Sequence, residues 1–288
     1  MSGVLRKALV DFLKSAQRHP CVASAIALIA ITLLVGDALE GRALEMVSYL
    51  GAMVLSAAIV DGSIAILGKQ WVNLPVRVPR YEVTAAAPIF LLAAATLAYR
   101  FSGLYPPHDA FSRLLFLAAM LFFGFQIMLA LILLLRGYSF RDLGIRFWGF
   151  GSVASIMMLC MALVAVETPL KSVWTDAYRS FGGSMWGWIE VGLLMAAPPE
   201  EFFRMFWQTR TGRLLNNAAA GWLVASLMWA SLHWFIFSQG RTHLQTFFVV
   251  LDILPYGLLL GYVTRRTQSI LPAILLHATK FVWLGGWG

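Results

Sequence analysis

Charged residues are scarce in this sequence. They make up 12% of its 288 positions, whereas soluble domains usually carry about 25%. Hydrophobic residues make up 60% of the chain, and the mean hydropathy is +0.75. Because apolar residues are so abundant, a disordered chain and a fibrous repeat are excluded. The low charge also argues against a soluble globular domain.

Cysteine is almost absent as well. The sequence contains only Cys21 and Cys160, and both lie within apolar stretches. Two such isolated cysteines form neither a redox motif nor a zinc-binding motif, and they exclude a small disulfide-stapled fold. We interpret both as small residues buried in the membrane.

Long apolar runs are the main feature that the sequence does have. A helix needs about 20 apolar residues to cross a bilayer, and runs of this length recur along the chain. They predict an all-α fold, a polytopic transmembrane bundle of about 8–9 spans. The candidate spans are 21–38, 43–68, 83–101, 110–135, 147–167, 185–209, 216–238, 244–264 and 268–286.

Residues 1–20 have a different pattern. Apolar side chains recur there at helical spacing, and four bases lie mainly off that stripe: Arg6, Lys7, Lys14 and Arg18. This pattern is typical of an amphipathic helix on an anionic leaflet. A basic tail without regular structure is the alternative.

The basic residues of the loops predict the orientation of the chain. Fourteen Lys and Arg residues lie in the N-terminal segment and in alternate loops, including Arg210 and Arg213, and five lie in the opposite loops. This bias places the N-terminus in the cytoplasm and the C-terminus outside. Topology therefore explains the net charge of +8, and no basic stretch is long enough to bind nucleic acid.

A few ionisable residues lie within the predicted spans, where they are costly and therefore functional candidates. Helical rise places the candidate groups about 14–26 Å from the predicted cytoplasmic helix ends, so we expect them to share one cavity. The candidates are Glu200, Glu201, Arg204, His233 and His277. We expect Glu190, Asp252 and Asp61 to support the bundle instead.

These side chains form a set that can hydrolyse a peptide bond. One carboxylate can take a proton from water, while two imidazoles orient that water or hold a metal ion. Arg204 can neutralise the second carboxylate, which leaves the first as a base. The preceding Pro198 and Pro199 are expected to open the helix and to free carbonyls that line a wet cavity.

Residues 195–281 resemble the CPBP intramembrane proteases, which include CAAX-processing endopeptidases and bacterial abortive-infection proteins. The family motif has a Glu-Glu pair followed by Phe-Arg, an aromatic residue four positions before a histidine, and a second histidine on the last core helix. In this sequence the matching residues are Glu200-Glu201, Phe203-Arg204, Trp229, His233 and His277. The stretch from Leu260 to His277 also resembles the family. The resemblance implies a protease core at 181–288, preceded by transmembrane helices at 21–180.

The sequence departs from the family motif at three points. The family usually has three residues between the second glutamate and the arginine, and here there are two. An ion pair of Glu200 with Arg204 would leave Pro199 at the base position, whereas a pair of Glu201 with Arg204 leaves Glu200 as the base; we favour the second.

The other two departures concern single residues. Phe281 stands where the family often has the asparagine that helps to bind an oxyanion, and Thr279 or Lys280 can substitute for it. Trp229 replaces the usual phenylalanine, a change that we expect to be harmless.

The resemblance implies a multi-pass endopeptidase of the cell membrane. Its expected substrate is a membrane-embedded or lipid-anchored peptide or protein, and glutamate-activated water is the expected nucleophile. Metal dependence stays open, because two histidines and a carboxylate can hold zinc and also suit a metal-free glutamic peptidase. A catalytically inactive scaffold or regulator is the first alternative, and a proton-coupled transporter is the second.

Overall fold

The computed structural model describes residues 17–67, 73–101, 126, 129–146, 193, 197–238 and 240–284. Regular structure within these ranges is helical, and they contain no strand. The all-α prediction is therefore confirmed for this part of the chain. Several predictions concern residues outside the described ranges: the span at 147–167, Glu190, most of the amphipathic segment 1–20 and most of the span at 110–135.

Eight helices have defined bounds. They are α1 (Pro20–Leu39), α2 (Ala43–Leu67), α3 (Pro79–Phe101), α4 (Ala197–Leu214), α5 (Ala218–Leu232), α6 (Trp234–Phe237), α7 (His243–Thr267) and α8 (Leu271–Leu284). A further helical stretch at 129–135 leads into a loop at 136–146.

Three of the described helices are long and apolar enough to cross a membrane. They are Pro20–Leu39, Ala43–Ile64 and His243–Thr267, and Ala218–Leu232 is a shorter apolar helix. The prediction of a helical membrane protein is supported by these segments. The number of 8–9 spans and the cytoplasmic N-terminus stay predictions. One predicted span, 216–238, is interrupted at His233, where α5 ends and α6 begins.

Local hydrogen bonds define where several helices begin. The side chain of Asn217 accepts from the backbone N–H groups of Ala219 and Ala220 at the start of α5. At the start of α7, Thr242 and Gln245 form a reciprocal capping box. Both caps satisfy N–H groups that a helix leaves without partners in its first turn.

Helices α4 and α5 cross with their backbones in close contact. A Cβ atom on Gly221 would lie 2.5 Å from the carbonyl oxygen of Gln208 and from the Cα atom of Gly212. Only glycine fits this crossing, because no such contact is sterically allowed. Helix α4 also packs on α3, α7 and α8. The helix that carries the glutamate pair is therefore surrounded by its neighbours.

The structure contradicts the assignment of Arg210 to a cytoplasmic loop. Helix α4 continues to Leu214, five residues beyond the predicted end of its span. Arg210 is fully buried, and its Nε atom lies 2.7 Å from Oε2 of Glu82. Because a buried guanidinium is paired inside the protein, it is not one of the loop charges that orient a membrane protein.

Candidate active site

Glu200 lies in the first turn of α4, and Glu201 follows it directly. Pro198 and Pro199 occupy the same turn, where a missing backbone N–H removes no helical hydrogen bond. The positive end of the helix dipole favours carboxylates at this position. The sequence thus places two acids at one helix start, with Arg204 one turn further along.

Glu201 is fully buried between Arg204 and His277. Both of its carboxylate oxygens accept hydrogen bonds from Nη1 of Arg204, which is also fully buried. Its Oε1 atom lies 2.8 Å from Nδ1 of His277 on α8. Of the two ion pairs considered above, the structure therefore has the i,i+3 pair, and Glu200 does not contact Arg204 in an ion pair.

Glu200 is oriented differently from its neighbour. Its side chain is 18% exposed, and its Oε2 atom lies 3.7 Å from Nε2 of His277. The same oxygen accepts a hydrogen bond of 2.6 Å from Nε1 of Trp229. One carboxylate of the pair is therefore neutralised in the interior, whereas the other retains access to the surroundings.

The imidazole of His277 lies between the two carboxylates, with one ring nitrogen toward each. An ionised carboxylate can only accept a hydrogen bond. Nδ1 of His277 therefore carries a proton and donates the hydrogen bond to Glu201. In the neutral ring Nε2 is then unprotonated and faces Glu200. This arrangement fixes the tautomer of His277 by its buried partner.

His233 joins the site through Trp229. It follows the last residue of α5, and its Nδ1 atom lies 3.0 Å from the carbonyl oxygen of Trp229. Since a carbonyl only accepts, Nδ1 is the donor and Nε2 is the acceptor of a neutral ring. The ring is half-buried, with its centroid 4.6 Å from the ring of Trp229 and 5.9 Å from that of Phe237.

Trp229 contacts most members of the site. Besides its hydrogen bond to Glu200, its ring lies under the guanidinium of Arg204 at 4.4 Å and meets the ring of His277 edge-on at 6.0 Å. A Cβ atom on Gly257 of α7 would lie 2.7 Å from the indole, so glycine is required beneath it. We expected the replacement of phenylalanine by Trp229 to be harmless. The structure adds a hydrogen bond from the indole N–H, a group that phenylalanine lacks.

The sequence did not identify Tyr256 as a member of the site. Its ring meets that of His277 edge-on at 6.1 Å, and its hydroxyl donates to the carbonyl oxygen of Leu276 at 2.9 Å. Tyr256 is buried on α7, directly after Pro255. The sequence signal for Tyr256 was its position between Pro255 and Gly257 in an apolar helix.

The described residues bear on the choice between a zinc site and a metal-free site. No three His, Cys, Asp or Glu side chains among them are arranged to hold a metal ion. Glu201 is already paired with Arg204, and both histidines make their hydrogen bonds through Nδ1, an arrangement that is also usual for histidines that ligate a metal through Nε2.

The residues expected to support the bundle lie away from this cluster. Asp61 binds Tyr262 at 2.7 Å and Arg266 at 2.6 Å and so joins α2 to α7, although a third of its side chain is exposed. Asp252 is half-buried on α7, and its backbone carbonyl accepts from Tyr49. The side chains of Thr279, Lys280 and Phe281 lie outside the described part of the structure.

Taken together, the described helices are those of a helical membrane protein, and they bring two glutamates and a histidine into one cluster. Residues 181–280 match the family model described as Type II CAAX prenyl endopeptidase Rce1-like. This match confirms the resemblance to the CAAX-processing proteases for about a third of the chain. Searches of curated proteins and of solved structures gave no match.

Proposed function

We propose that the protein is an intramembrane endopeptidase in which Glu200 activates water. The position of His277 between the two carboxylates is the observation that carries this proposal. Arg204 neutralises Glu201, so a single carboxylate at the site is available as a base. The family match at 181–280 supports a CAAX-type protease independently of this geometry.

Each residue has a distinct role in the proposed reaction. Glu200 takes a proton from a water molecule, which then attacks the carbonyl carbon of the scissile peptide bond. The proton passes to the leaving amine, so the peptide is cleaved without a change in the net number of protons. The unprotonated ring nitrogens of His277 and His233 orient the water and the substrate, and the Glu201–Arg204 pair holds His277 in its tautomer.

The proposed substrate is a membrane-embedded or lipid-anchored peptide or protein. The family description names prenyl endopeptidases, whose peptide substrates are attached to the bilayer by a lipid group. The bilayer is then a necessary partner, because it delivers the substrate to a site among membrane helices. We propose the cell membrane as the location.

Two departures from the family motif, Phe281 and the shortened glutamate–arginine spacing, favour an inactive relative, and the structure bears on the spacing. The pairing of Glu201 with Arg204 removes the argument from the spacing, because it leaves Glu200 unpaired with arginine. The lack of a recognisable repeat disfavours a transporter. The peptidase is therefore the function that the described residues support best.

Substitution Glu200→Gln tests the proposal. In nanodiscs, with a fluorescent prenylated peptide as reporter, we expect the cleavage rate to fall by roughly 10²–10⁴-fold, the usual contribution of a general base. Glu40→Gln is the matched control, because Glu40 is an exposed glutamate outside the site and should leave the rate unchanged. Full activity of Glu200→Gln would refute the assignment.

A further inference from the structure

The loop at 136–146 is hydrogen bonded to two separate parts of the molecule. At its first end, the hydroxyl of Tyr138 donates to Glu82 and accepts from the backbone N–H of Arg77 at 2.8 Å. Glu82 in turn binds Arg210 on α4. Through these contacts of Glu82 the loop is connected to the helix that carries Glu200 and Glu201.

The other end of the loop contacts the start of α8. The carbonyl oxygen of Gly144 accepts from the backbone N–H of Ile270 at 2.9 Å and from the hydroxyl of Ser269 at 3.1 Å. Gly144 has a φ of +81°, and a Cβ atom on it would lie 3.1 Å from Cγ2 of Ile270. Glycine is required here because its backbone is left-handed and the helix start is close.

Between its two ends the loop is held by its own contacts. Leu143 and Tyr138 are buried, and the backbone N–H of Ile145 donates to the carbonyl of Phe140 at 3.0 Å. Asp142 accepts from the backbone N–H of Ser139 at 2.8 Å. These contacts make the loop a compact connection, so a displacement at one end is transmitted to the other.

Burial keeps the first contact of the loop intact over a wide pH range. It raises the pKa of the Tyr138 phenol above its ordinary value, and the hydrogen bond to Glu82 acts in the same direction. The phenol therefore stays protonated and continues to donate at neutral and moderately alkaline pH.

We propose that the loop at 136–146 positions His277 against Glu201, with Tyr138 and Ser269 as positioning residues at its two ends. Arg210 lies nine residues after Glu201 within α4. Ile270 directly precedes α8 and lies seven residues before His277. Helical rise makes these separations about 14 Å and 10 Å, within single short helices. Short helices move as rigid units. The contacts of the loop therefore determine the position of α8 along the axis of α4.

This inference rests on the proposed function for its kinetic consequences, but its structural part can be measured without catalysis. In the full chain in nanodiscs, Tyr138→Phe should increase amide hydrogen exchange in peptides covering 270–278, although Tyr138 lies at the opposite end of the loop from Gly144, which contacts Ile270. The matched control is Tyr49→Phe, which removes a buried hydroxyl that bonds to α7 and should leave exchange at 270–278 unchanged. Exchange that increases only at 77–82 and 206–214 would overturn the proposal.

A kinetic cycle gives the second readout. Tyr138→Phe and Ser269→Ala each remove a hydroxyl that makes two hydrogen bonds, and each should lower kcat by about 3–10-fold with KM unchanged. Since the two contacts act in series, the double variant should have the kcat of the worse single variant. Multiplicative effects of the two substitutions, or an effect on KM alone, would contradict a positioning role.

The two proposals can fail separately. If wild-type protein and Glu200→Gln cleave the reporter equally, the peptidase assignment fails, and the exchange experiment still decides whether the loop holds α8. If Glu200→Gln is inactive and exchange at 270–278 does not respond to Tyr138→Phe, only the positioning inference fails.

Discussion

Glu201 and His277, which are 76 positions apart in the sequence, are joined by a hydrogen bond of 2.8 Å between Oε1 and Nδ1. The bond is buried, and the same glutamate is ion-paired with Arg204. A buried negative charge is costly without such partners. The histidine of α8 is therefore held by a charge that belongs to α4, which makes the site depend on the packing of these two helices.

Trp229→Phe should separate the two functions of this side chain. The substitution removes the indole N–H that binds Glu200 but retains a ring beneath Arg204. We expect kcat to fall roughly tenfold, because a hydrogen bond to a charged group contributes about 1.5–3 kcal/mol. The measurement is steady-state cleavage of the prenylated reporter in nanodiscs.

Trp222→Phe is the control for that experiment. Trp222 is also on α5, and its indole N–H donates to the carbonyl of Leu258 at 2.9 Å, away from the carboxylates. It should lower the melting temperature and leave kcat unchanged. Equal losses of kcat in both variants would mean that the indole of Trp229 has only a packing role.

Arg204→Met should destabilise the protein strongly. Removing one partner of a buried ion pair leaves an uncompensated charge and typically costs about 3–5 kcal/mol. Arg213→Met is the matched control, because Arg213 lies on the same helix and is exposed. Thermal unfolding in detergent compares the two variants. Similar melting temperatures would contradict the stabilising role of the buried Arg204–Glu201 pair.

Gly221→Ala should disrupt the crossing of α4 and α5. The added methyl would meet backbone atoms, which cannot move aside as a flexible side chain does. Overpacking of this kind costs about 1–3 kcal/mol or more. Gly62→Ala, in α2, places its methyl where no other atom lies within 4 Å, so it should instead stabilise by up to about 1 kcal/mol. Chemical unfolding measures the free energy of unfolding, which should decrease in Gly221→Ala and increase in Gly62→Ala.

The Asp142 contact predicts a dependence of stability on pH. The backbone N–H of Ser139 lowers the pKa of the Asp142 carboxyl below 3.8, and partial burial opposes this effect. Because the folded-state pKa is the lower one, the stabilisation is present above the unfolded pKa and is lost as pH falls through the folded pKa. Asp142→Ala should lower the melting temperature at about pH 6 and have little effect once the pH is below the folded pKa; a constant difference would contradict this assignment.

Much of the site was predictable because it is local or follows a motif. Helical spacing allowed Arg204 to pair with either glutamate, and the structure has the favoured pair with Glu201. The two histidines were identified as ionisable residues within apolar spans, and the family resemblance then supported the same positions. Their catalytic roles stay predictions.

What the sequence could not provide is pairing between distant segments. Glu82 and Arg210 are 128 positions apart, and each resembles an ordinary charge at the end of an apolar run. Hydropathy therefore placed Arg210 in a loop, and only the packing of α3 on α4 reveals its burial. The hydrogen bond of Trp229 to Glu200 was missed for a similar reason, because tryptophan was treated as an apolar ring.

The glycine-mediated crossing of α4 and α5 fixes these two helices relative to each other. Glu200 belongs to one of these helices and Trp229 to the other, and their backbones touch at Gly212 and Gly221. Two helices in such close contact cannot be pushed apart by an incoming chain without losing that contact. In the peptidase proposed above, a peptide would therefore reach Glu200 through movement of the elements that border this pair, while the pair itself stays fixed.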